Sequence, residues 1–123
     1  MGLMISISEE GNPEDRSVIG GSAAIYDLVA HVAEATKADR PDIHSVAFGP
    51  IDVGLVDFAR LNAEQFRVVH GLAIEGHRDF LTTPLAAESN LRALWARFLD
   101  LMSNDDRLEA DESSSGTPRR SLA

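Results

Sequence analysis

The stretch Ile51-Asp52-Val53-Gly54-Leu55-Val56-Asp57-Phe58-Ala59-Arg60-Leu61-Asn62-Ala63-Glu64-Gln65-Phe66 changes its hydrophobic period partway along. Ile51, Val53 and Leu55 alternate with Asp52, Gly54 and Val56, as in a short strand with one buried face. At Asn62 the signal becomes helical. With Asn62 as N-cap, Gln65 falls at N3 and can reach back to close a capping box, while Leu61 and Phe66 are spaced as a hydrophobic staple. A strand followed at once by a helix start predicts a chain that mixes the two element types.

Working outward from there, Phe66, Val69, His70 and Ala73 mark the buried stripe of the helix that Asn62 starts, and Gly76 is expected to end it in a left-handed turn. Thr82-Thr83-Pro84 places a hydroxyl cap before a proline at N1. Leu91, Leu94, Trp95, Phe98, Leu101 and Met102 then recur at helical spacing, the heaviest apolar stripe in the chain. On the other side, Ile43–Phe48 reads as a strand running into Gly49-Pro50 and the strand Ile51–Val56. Before it, Ile25, Leu28, Val29 and Val32 repeat at i, i+3, i+4 and i+7 in a helix over 22–38, with Ser22 as a cap and Pro41 forbidding continuation. At the start of the chain, Leu3, Ile5 and Ile7 alternate with Met4, Ser6 and Ser8 as a half-buried strand.

The expected class is therefore α+β, in the order β-α-β-β-α-α. A right-handed crossover through the first helix sets the first two strands parallel in a small mixed sheet of about three strands, with three helices on one face. Residues 1–102 form the expected domain. Residues 103–123 are acidic and then Ser-rich, with Leu108 and Leu122 as their large apolar side chains, and are expected to be disordered because they bury too little to offset their ordering entropy.

Composition narrows function more by exclusion than by assignment. The chain has no Cys, which removes disulfides, thiolate nucleophiles and Cys-based metal sites. No apolar run approaches membrane-spanning length, and the N-terminus lacks the basic and apolar regions of a signal peptide, so a cytoplasmic location and no membrane partner are expected. The basic side is ten Arg to one Lys, and Ala is frequent, as expected of a GC-rich bacterial genome. Net charge is −9; residues 103–123, with five acids and three bases, carry −2 of it and leave −7 on the body. Such a surface repels nucleic acid and attracts basic proteins.

Reactive groups do not assemble into a recognisable motif. His70 and His77 lie seven apart, two turns along a helix and about 10 Å in rise, too far to ligate one metal together. They are expected to be a half-buried packing residue and a loop residue. Asp52 and Asp57 would form an acid/base pair with Glu75 or Asp79 only if the fold drew them together. No Gly-x-Ser-x-Gly elbow occurs. Gly20-Gly21-Ser22 opens a helix but lacks a Walker Lys, and its approach loop carries four acids. Met1-Gly2-Leu3-Met4-Ile5-Ser6 matches the myristoylation pattern, which competes with burying Leu3, Ile5 and Ile7 in a strand.

Three functions follow from this reading. The first is a non-catalytic acidic domain that binds a basic protein partner, in its sharpest form an immunity or antitoxin-type inhibitor of a basic toxin or nuclease. Glu9, Glu10, Glu14, Asp15, Asp52 and Asp57 are its candidate surface. The second is a structural or regulatory subunit that forms a homodimer. The third is a small enzyme or ligand-binding domain using His70, His77 and nearby carboxylates. No cofactor or metal is expected.

Overall fold

The computed structural model describes residues 2–8 and 16–108. Two strands open it, β1 (Gly2–Ser6) and β2 (Ser17–Gly21), followed by the helices α1 (Ser22–Asp39) and α2 (Pro41–Phe48). A 3-10 turn (Gly49–Val53) leads into β3 (Leu55–Asp57), then α3 (Ala63–Phe80), a second 3-10 turn (Pro84–Ala87) and α4 (Ser89–Ser103). The sheet order is β2-β1-β3, with β1 antiparallel to β2 and parallel to β3. The class is α+β with a three-stranded mixed sheet, as the periodicities indicate.

Two elements depart from the expected order. Residues 43–48 are helical, not extended. Pro41 does end α1, with Arg40 at φ −139°, ψ 69°, but it also occupies the first turn of α2, where its missing N–H costs nothing. Ile43, Ala47 and Phe48 then turn inward together. Residues 17–21 are a strand where the sequence suggested only a flexible approach to α1. They have two strand-forming side chains, and pairing with β1 supplies the rest. The parallel neighbour of β1 is consequently β3, reached across α1 and α2, and not residues 43–48.

Smaller corrections concern where elements begin and end. Residues 49–53 form a 3-10 turn, which shortens the strand read over 51–56 to Leu55–Asp57. Gly54 closes that turn at φ 85°, the left-handed region a side chain resists. Gly21, not Ser22, is the N-cap of α1. Gly76 does not end α3, which continues to Phe80; a Cβ at Gly76 would sit 3.2 Å from the Cβ of His31, so the bare backbone lets α1 and α3 approach closely. The last helix begins at Ser89, since Pro84 starts only the 3-10 turn.

The core lies between the inner face of the sheet and the helices. Leu3, Ile5, Ile7, Val18 and Val56 meet Ile25, Leu28, Val29 and Val32 of α1, with Phe66, Val69 and Ala73 from α3 and Trp95, Phe98 and Met102 from α4 completing it. Phe48, Phe58, Phe98, Trp95 and Phe80 form a chain of ring contacts at centroid separations of 5.6 to 6.2 Å. The capping box at Asn62 forms in full, Gln65 N–H to Asn62 Oδ1 at 2.8 Å and Asn62 N–H to Gln65 Oε1 at 3.1 Å. Leu61 and Phe66 are both buried.

The folded body continues past residue 102. Asp105 is buried, and Arg107 donates to the carbonyl oxygens of Phe58 (2.7 Å), Leu61 (2.8 Å) and Ile7, with its guanidinium 3.8 Å over the Phe66 ring. Arg107, assigned from sequence to the tail, is thus bound to the exits of β1 and β3 and is held by Asp105. Residues 109–123, the remainder of the expected tail, lie outside the described residues.

Candidate functional site

Alternation along the strands sends Leu3, Ile5 and Val18 inward and leaves Met4, Ile19 and Leu55 to the other face. The register places those three in one row, Met4 opposite Ile19 on one side and opposite Leu55 on the other. Ile19 is 66% exposed and Val53, just before β3, is 82% exposed, while Met4 and Leu55 are half-buried. An apolar row therefore crosses every strand on the outer face of the sheet. Sequence reading placed Met4 on the solvent side of its strand but missed Ile19, because β2 itself was missed.

The six acidic candidates do not form one surface among the described residues. Glu9, Glu10, Glu14 and Asp15 lie outside those residues, in the segment that joins Ser8 to Arg16. Asp57 is buried at the end of β3, where Oδ1 accepts the Ala59 N–H at 3.2 Å, so it shapes the turn and is not available to a partner. Asp52 is exposed on the turn before β3. Since β1 and β3 run parallel, Ser8 and Arg16 stand at the end of the sheet where β3 finishes, opposite the end where Asp52 stands.

The histidines do not converge either. His70 is half-buried on α3, and burial holds its imidazole below the ordinary pKa. Its Nε2 lies 3.4 Å from Ser103 Oγ. His77 is within α3, not in a loop, and packs on Phe80 and Trp95 at centroid distances of 6.2 and 5.2 Å. Glu75 is taken up by His31, Nε2 to Oε1 at 3.1 Å. No group of three or more His, Asp or Glu among the described residues is arranged to hold a metal ion.

Polar side chains elsewhere serve the fold. Arg40, at the break between α1 and α2, forms two bonds to Asp42 (both 3.0 Å) and two to Glu64 (2.8 and 2.9 Å), while Gln65 donates to Asp42 at 3.1 Å. These bonds hold the Asp42 carboxyl well below the usual carboxylate range, lower that of Glu64 and raise Arg40. The network ties the start of α3 to the start of α2.

A small cleft of about 210 Å³ opens where α1, α3 and α4 meet, lined by Asp27, His31, Gly76, Asp79, Phe80, Leu85 and Trp95 among others. Two broader grooves run beside His70 and between Tyr26 and Phe48. Among the described residues no helix is long and apolar enough to cross a membrane. No family model matches the chain, and neither a curated protein nor a solved structure shows significant similarity to it.

Proposed function

We propose that this chain is a non-catalytic protein-binding domain that docks a basic protein partner over the outer face of its sheet. The observation that carries this reading is the row Met4, Ile19 and Leu55, with Val53 exposed on the turn that leads into β3. Single exposed apolar side chains are ordinary, but a contiguous row across a whole sheet face is the kind of centre protein interfaces use, surrounded by a polar rim. The charge supports a basic partner. Residues 9–15, which connect two strands of that face, contain four carboxylates and no base, and the chain as a whole carries −9. Opposite charge speeds encounter and disfavours wrong partners, while the apolar centre supplies affinity. An inhibitor of a basic toxin or nuclease is the sharpest form of this function.

The same row would also fit a second copy of the chain, as a homodimeric subunit requires. Two copies at −9 each repel, and that repulsion favours the basic partner. The test uses the full chain immobilised in an extract of its source organism, beside Ile19→Glu and Val53→Glu variants. A basic protein retained in stoichiometric amount by the native chain, at least tenfold depleted on both variants and released as salt rises, supports the proposal. Equal retention by native and variant chains, or retention indifferent to salt, overturns it.

A further inference from the structure

The cleft between α1, α3 and α4 has a composition that core packing does not explain. Its floor and walls are apolar, from Ala30 and Gly76, where the two helices approach, through Trp95 and Phe80 to the exposed Leu85. On its border stand two exposed carboxylates, Asp27 and Asp79, neither of which has an ion-pair or hydrogen-bond partner for its side chain among the described residues. The imidazole that shares the border, His31, is already bonded to Glu75. Trp95, 2% exposed, contributes its ring to the lining.

Size limits the occupant. At about 210 Å³ the cleft is smaller than the roughly 300 to 1,000 Å³ of sites for drug-sized ligands, so a nucleotide or a cofactor does not fit, whereas a chain of four or so methylenes with a charged head does. The apolar floor suits the methylenes and the two carboxylates on its border suit a cation, the division of labour by which a lysine stem lies on apolar surface with its head in a polar setting. We infer that the cleft binds an alkylammonium group, either the free amine of a small molecule or the side chain of a lysine presented by a protein. This inference does not rest on the sheet-face reading. The cleft is formed by helices, and its failure would leave the capture experiment untouched.

Trp95 is the chain's one tryptophan and lines the cleft, so its emission reports occupancy directly. The probes are n-butylammonium chloride, n-butanol with matched sodium chloride, and the peptide acetyl-Gly-Lys-Gly-amide with its side-chain-acetylated counterpart. The expected result is a saturable change in emission with butylammonium at millimolar concentration. It should weaken at least tenfold in the Asp27→Asn/Asp79→Asn variant, whose two changed residues are exposed and whose fold is checked by circular dichroism, and at least tenfold with butanol. Saturation by the lysine peptide but not by its acetylated form identifies a protein side chain as the source. Saturation by the free amine alone identifies a small molecule. A change that never saturates, that butanol reproduces, or that the folded double variant retains in full overturns the inference.

Discussion

Arg107 holds three main-chain carbonyl groups that lie far from it in sequence. Its guanidinium donates to carbonyls at the exits of β1 and β3 and is paired with Asp105, Nε to Oδ1 at 2.8 Å and Nη2 to Oδ2 at 2.9 Å. Replacing it with Ala strands a buried carboxylate and leaves three carbonyl groups short of a donor, so we predict a loss of about 3 kcal/mol in unfolding free energy, measured by urea denaturation. The double variant Arg107→Ala/Asp105→Ala should lose less than the two single losses added together. Burial pushes the Asp105 carboxyl up, but the bonds from Arg107 outweigh it and hold the group below its ordinary value. A carboxyl lowered in the folded state stabilises the fold above its unfolded pKa of about 3.9, and that stability is lost as pH falls through the folded value. Native protein should therefore lose stability below about pH 4 more steeply than Asp105→Asn does. None of this was legible beforehand, because Arg107 sits in a stretch whose composition reads as tail and every one of its carbonyl partners is more than 40 residues away.

At the scale of elements, legibility followed the length and purity of the pattern. α1, α3 and α4 carry long stripes at helical spacing, and α3 announces its start through a capping box that forms as read. Asn62→Ala should cost about 1 kcal/mol by removing that cap, as thermal or urea denaturation will show. Residues 41–48 and 17–21 were not legible for opposite reasons. The first is an eight-residue stretch in which Ile43, Val46, Ala47 and Phe48 are mixed with Asp42, His44 and Ser45, too short for periodicity alone to assign it to helix or strand, and tertiary contact decides it. The second has two glycines in five residues and too little propensity of its own; it is a strand because β1 lies beside it. Missing β2 meant missing Ile19, and with it the outer row of the sheet. The turn before β3 offers a further check. Gly54→Ala forces a side chain into the left-handed region and should destabilise by about 1 to 2 kcal/mol, while Gly49→Ala, with open space around its Cβ and a right-handed helical conformation, should not.

At the scale of the whole molecule, acidity and the apolar row on the outer sheet face are what the proposed partner of opposite charge rests on. The sequence disclosed the charge, but not where it lies relative to the sheet: of the six acids singled out, Asp57 became part of the fold, Asp52 stands exposed on the turn before β3, and the other four lie outside the described residues. Charge repulsion between copies predicts that light scattering will give the single-chain mass of 13.3 kDa across concentrations at moderate salt, whereas twice that mass would favour the homodimeric reading. The most direct test of the central claim is hydrogen exchange on the purified complex with the captured basic partner. We predict slowed exchange in the β1, β2 and β3 segments and the turn carrying Val53, with the amides of α3 and α4 unchanged. Protection confined to those helices, with the strands exchanging as they do in the free chain, would contradict it.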